Sequence, residues 1–185
     1  MASSISTFMS SFTTELARPN RFDVKLPLIQ TLTMPAGLKQ YLRCENANLP
    51  SRTFATTEQK FGSNPIEKYP YQVTYNDVDM TFIVSGDMSE KKYFDAWHEM
   101  IMPSSTFTPS YKNTYSGNIE ITQYDLLNNP SYTVTLIDAY PIVVNQLDLD
   151  WSSDGYHKLT VVFAYTYWST STTPILNQTP MPFAQ

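Results

Sequence analysis

Alternation of apolar and polar side chains dominates this sequence and predicts a chain built mostly of β-strands. The strongest signal is the stretch 147–168, LDLDWSSDGYHKLTVVFAYTYW. It reads as a β-hairpin: a short strand over 147–151, a reversal at Ser152-Ser153-Asp154-Gly155, and a long strand over 156–168. The Asp-Gly pair supplies the φ > 0 geometry of a tight turn. His157, Leu159, Val161, Phe163, Tyr165 and Tyr167 form one mostly apolar face, and the alternate residues form a mixed face suited to packing. A strand of thirteen residues is about twice the usual length, so both faces need cover and both edges need partners.

The rest of the chain extends this pattern. Residues 3–17 place Ile5, Phe8, Met9, Phe12 and Leu16 on one face, the spacing of a short helix that Pro19 ends. Residues 21–29 alternate Phe22, Val24, Leu26 and Leu28 against Arg21, Asp23 and Lys25, a half-buried strand. Pro27 lacks an N–H to donate, which places that strand at an edge or ends it. A second strand is expected over 38–46. From 51 to 70 the alternation dissolves into polar residues with Phe54, Phe61 and Ile66 scattered among them. The residue pattern predicts a long loop here, and its exposed aromatics mark it as a contact arm.

Period two returns over 71–85 in two parts joined near Asn76-Asp77, and Gly86 ends it. Asp87, with Glu90 three residues on, predicts a capped helix running to about Ile101. Tyr93, Phe94, Trp97, Met100 and Ile101 make its one broad apolar face. Burying five such side chains is worth roughly 1.5–3 kcal/mol each before entropy is counted. Residues 103–109 read as a linker, and 118–124, 131–138 and 140–145 as short strands, with Asn128-Asn129-Pro130 turning between the first two. After Trp168 the chain continues as an aperiodic, proline-containing tail over 169–185. The expected fold is mainly β: an antiparallel sandwich or barrel of at least six strands, with one packed helix at about 87–101 and a short N-terminal helix.

Composition narrows the function. The chain has 185 residues, the size of one domain. Charged residues make up 16% and aromatics 14%, a surface suited to permanent protein contact. The net charge of −5 argues against a wrapping grip on nucleic acid. No basic start precedes an apolar run, so neither a signal peptide nor a membrane anchor is expected. The single cysteine, Cys44, allows no internal disulfide and reads as a small core residue.

No catalytic, metal or cofactor constellation is expected. His98 and His157 have no spaced partners, and five scattered glycines form no phosphate loop. The run Asp150 to Gly155 copies the first half of an EF-hand loop, but Val161 stands where a bidentate Glu is required. Asp77 with Asp79, and Asp148 with Asp150, could be drawn as paired carboxylates, yet acids at i, i+2 are common on turns and edges.

Four segments in register resemble the tail tube protein family of T4-type contractile-tailed bacteriophages. They are Ala17-Arg18-Pro19-Asn20-Arg21-Phe22; Leu42-Arg43-Cys44-Glu45 leading to Asn48-Leu49-Pro50; the strand-to-helix step from Asp79 to Ile101; and Asp138-Ala139-Tyr140-Pro141 with Leu147 to Trp151 and Tyr165-Thr166-Tyr167-Trp168.

The resemblance implies a structural subunit of a homo-hexameric ring, two antiparallel sheets packed with a helix, and rings stacked into the conduit for DNA ejection. It implies sheath, baseplate and tape-measure proteins as partners, DNA passing through the lumen without specific binding, assembly in the host cytoplasm and a place in the virion. The family's long hairpin maps to 51–69, making Phe54, Glu58, Lys60, Phe61 and Ile66 the inter-ring contact candidates. An acidic subunit suits a conduit that phosphates must slide through. The competing readings are a baseplate-proximal tube-initiator paralogue and, from another class, a carbohydrate-binding or carbohydrate-active β-sandwich with Trp and Tyr platforms.

Overall fold

The computed structural model describes residues 16–29, 43–152 and 154–171, together with Ile5 and Leu32. Most of the helix expected over 3–17, most of the strand expected over 38–46 and the tail beyond 171 lie outside the described residues. Nine strands and two helices are described: β1 (Phe22–Lys25), β2 (Cys44–Ala47), β3 (Arg52–Gln59), β4 (Glu67–Tyr75), β5 (Val78–Ile83), α1 (Ser89–Ile101), α2 (Lys112–Tyr115), β6 (Gly117–Tyr124), β7 (Pro130–Val144), β8 (Lys158–Ala164) and β9 (Tyr167–Thr170). The mainly β, antiparallel architecture is the one the alternation predicts.

The body is two sheets that share a strand. β7 is fifteen residues long. Its first part pairs with β6 on one side and β9 on the other, and β6 in turn pairs with β1. Its last part, Tyr140 to Val144, pairs with β8, which leads on to β5 and β2. The crossing point is Asp138, a non-glycine residue at φ 54. That backbone costs about 1–2 kcal/mol in an L-residue, and the surroundings hold it: the Asp138 amide donates to Asn118 Oδ1 at 3.4 Å. The two short strands expected on either side of Asp138 are therefore one bent strand.

The same bend corrects the expected hairpin of 147–168. The described residues between 145 and 157 form no strand, and the long strand is cut at Tyr165-Thr166 into β8 and β9. Tyr140 faces Ala164 and Ile137 faces Tyr167, so the cut lies opposite the turn at Asp138. A strand whose partner changes sheets must change with it. The true partner of β8 is β7, joined to it by the 145–157 loop.

Between the sheets lies one core. Val24 and Leu26, Ile119 and Ile121, Val134 and Leu136, Met80 and Phe82, and Leu159, Val161 and Phe163 are all buried. The alternate positions of these strands face outward. α1 closes the core. Phe94 packs 5.1 Å from Phe82 and 6.1 Å from Phe163, ring centre to ring centre. Tyr93 and Trp97 are buried beside it, and Met100 and Ile101 pack at the margin. Trp97 Nε1 donates to the carbonyl of Tyr115 in α2 at 2.8 Å, which satisfies the indole in an apolar setting.

The cap of α1 differs from expectation. The helix begins at Ser89 behind Met88, which sits in the left-handed region at φ 58. Glu90 reaches back past Asp87 to Ser85 and accepts from its amide at 2.8 Å and its hydroxyl at 2.6 Å. Burial pushes this carboxyl up, but the Ser85 hydrogen bonds outweigh it and hold Glu90 below its ordinary value. Asp87 Oδ1 shares that same hydroxyl proton with Glu90, at 2.7 Å from Ser85 Oγ, and accepts from the amide of Ser89 at 3.4 Å. At the corner between the sheets, Gly117 lies so close to Pro27 that a Cβ there would stand 2.4 Å from the proline Cβ.

Candidate assembly surface

The region 51–70, expected as a loop, is regular. β3 and β4 form a two-stranded antiparallel sheet separate from the body. Over 51–70 no alternation shows, because every side chain of these strands except Ala55 and Tyr75 is exposed; the expected period two from Tyr71 onward covers only the end of β4. With neither face buried, selection leaves no apolar period. Phe54 stands opposite Val73, Glu58 opposite Lys68, and a bulge between Ala55 and Thr56 shifts the register.

Along the arm, Phe54, Tyr69, Tyr71 and Val73 are exposed apolar side chains, and Phe61 and Ile66 flank its tip. Glu58 and Lys68 form a cross-strand ion pair at 3.3 Å. Lys60, beyond that pair, makes no ion pair among the described residues. The structure thus places all five contact candidates, Phe54, Glu58, Lys60, Phe61 and Ile66, on one arm.

The base of the arm is held to the body. The Arg52 guanidinium lies between two rings, 5.7 Å from the centre of Tyr75 and 4.8 Å from that of Trp168. Trp168 Nε1 donates to the carbonyl of Ser51 at 3.4 Å, and Asn76 Nδ2 donates to Ser51 Oγ at 3.1 Å. The Tyr165-Thr166-Tyr167-Trp168 motif therefore anchors the arm at the very bend where β8 becomes β9. The sequence marked those residues without revealing that purpose.

The other sites considered from sequence take ordinary places. Val161 is buried in β8 opposite Met80, and Asp150 accepts the amide of Ser152 at 3.0 Å in a turn. Asp79 accepts from Asn48 Nδ2 at 2.8 Å. Cys44 is half-buried; burial pushes its thiol up to about 12, and Sγ donates to the carbonyl of Asn46 at 3.1 Å. His98 lines a groove with Ile101, Met102 and Tyr140, and burial holds it below its usual value. Among the described residues no group of three His, Cys, Asp or Glu side chains could hold a metal ion, and no helix is long and apolar enough to cross a membrane.

A shared-strand sandwich carrying a tethered arm of exposed aromatics, with no metal cluster among the described residues, has the build of a structural subunit. The family profile described as phage tail tube protein matches residues 17–171. The chain belongs to that family: it is a structural subunit of a phage tail tube. No curated protein matches. Among solved structures, it is similar to a chain of the anti-feeding prophage baseplate, with a TM-score of 0.65 and 20% identity over 85% of this chain and 97% of that one. It is also similar to a chain of the anti-feeding prophage tube-terminating cap, at 0.67 and 14% over 87% and 94%. A chain of the sheath–tube complex of an extracellular contractile injection system scores 0.62 at 13% over 91% and 98%. At these identities the likeness is one of fold.

Proposed function

We propose that six copies of this chain close into a ring, and that rings stack with the β3–β4 arm of each subunit reaching the next ring. The observation that carries this is the arm itself. An isolated two-stranded hairpin is marginal in water, and this one exposes Phe54, Phe61, Ile66, Tyr71 and Val73. Contact with a neighbouring subunit gives those side chains the cover the body does not. Within a ring, the outer edges of β1, β2 and β9 have no strand partner among the described residues, and pairing around a closed ring removes such edges.

The tube so formed is a conduit for DNA in the virion, assembled in the host cytoplasm and acting without catalysis. A subunit charge of −5 lets phosphates pass the wall without adhering. Sheath, baseplate and tape-measure proteins are its partners in a contractile tail. Sedimentation and negative-stain microscopy of the purified chain at high concentration test the reading. Long tubes are expected. Single rings or short stacks would point to the baseplate-proximal paralogue, and monomers alone would overturn ring assembly.

A further inference from the structure

The arm and the loop 145–157 lie at opposite ends of β8. At the Ala164 end, Phe163 faces Val78, where the chain has just left the arm, and Tyr165 packs 6.1 Å from Tyr75. At the Lys158 end, Lys158 faces Ile83 and pairs with Glu45 at 2.7 Å, and the 145–157 loop enters the strand. The subunit therefore has an arm at one pole and this loop at the other.

The loop is unusually apolar for an exposed segment. Leu149, Trp151 and Tyr156 face solvent, Trp151 with its whole side chain. They rim a recess of about 490 Å³ that Asp148, Asp150 and His157 also line. Asp148, Asp150 and the adjoining Asp154 make no ion pair among the described residues. The arm tip carries the complement: exposed Phe61 and Ile66 beside Lys60, which makes no ion pair among the described residues. With eight residues in β3, the arm extends about 26 Å at roughly 3.3 Å per residue, enough to leave its own body.

We propose that the arm tip of one copy docks in the 148–157 recess of a second copy in the neighbouring ring, with Phe61 against Trp151 and Lys60 facing Asp148 and Asp150. This rests on the stacked-ring reading and names the receptor for the same arm. Because the two surfaces differ and lie at opposite poles, the contact is head-to-tail and repeats without closing on itself, as a tube requires.

Engineered cysteines test it. Phe61→Cys and Trp151→Cys are placed singly and together in a Cys44→Ser chain, tubes are assembled under reducing conditions, oxidised, and run on a non-reducing gel. Mixed single variants should give dimers, and the double variant a ladder of longer oligomers. In a second arm, Lys60→Glu should cut tube yield at least tenfold near 0.1 M salt, and adding Asp148→Lys with Asp150→Lys should restore it. Normal tubes without the Phe61→Cys to Trp151→Cys link, or a Lys60→Glu defect left unrescued, would overturn this contact while leaving the tube. An unaltered chain that makes no tubes would instead remove the ring reading, and this contact with it.

Discussion

Tyr165 Oη donates to the backbone carbonyl of Asn76 at 2.8 Å, at the point where the arm strand β4 hands over to the body strand β5. With the Arg52–Trp168 contact it sets the angle at which the arm leaves the body. Trp168→Ala removes the ring under Arg52, worth about 0.5–2 kcal/mol, and the indole's bond to Ser51. Faster amide exchange and faster proteolysis within 51–76 are expected, together with a lower tube yield, while protection of β5 and β8 persists. Equal protection of the arm in the variant would show that Trp168 does not anchor it.

Phe54→Asp with Phe61→Asp changes two exposed side chains. Stability should move by less than about 1 kcal/mol, and far-UV circular dichroism should be unchanged. Tube length by negative stain should collapse to single rings. Unimpaired tube growth would displace the inter-ring contact from the arm.

A pH dependence follows from Glu90. Its carboxyl titrates below the ordinary value when folded, so its stabilisation is complete above the ordinary carboxylate value and is lost as pH falls through the lowered one. Ser85→Ala deletes the hydroxyl that donates to Glu90 at 2.6 Å. The acid-unfolding midpoint should move to higher pH, with a loss of about 1.5–3 kcal/mol at neutral pH. Urea unfolding across pH 3–7 would reveal it as a gap between wild type and variant that narrows in acid.

Gly117→Ala forces a Cβ into the Pro27 ring, where only 2.4 Å is open. The β1–β6 corner must shift, and a loss of about 1–3 kcal/mol is expected in chemical denaturation. A variant as stable as the parent would mean that the corner is free to open.

Cys44 should resist thiol reagents at pH 8 in the native protein and react at once in denaturant, since its thiol is raised to about 12. Rapid native modification would contradict the packed setting of β2.

What the sequence disclosed followed what the structure buries. β5, β6 and the first part of β7 each bury one face, so period two was plain. The apolar face of α1 was legible for the same reason. β3 and the first part of β4, up to Pro70, read as loop because a strand exposed on both faces keeps little alternation; over 51–69 only the family resemblance implied a hairpin. The α1 cap was misplaced because Met88 adopts a left-handed backbone that its residue type does not announce. The break in the long strand was hidden because its cause lies in another strand, at Asp138. Phe54 and Phe61 were recognisable as aromatics in a polar stretch, and both are exposed, but the Arg52–Trp168 contact joins positions more than a hundred residues apart and left no local signal.

β7 has one more consequence. Two sheets that merely lie face to face can slide over each other when pushed along their strands. Here a single backbone carries the hydrogen bonds of both sheets, before and after Asp138. Sliding one sheet would have to tear a ladder lengthwise through that strand. A push along the strands therefore meets a continuous backbone, and the two sheets move as one body. The subunit is braced as a single strut.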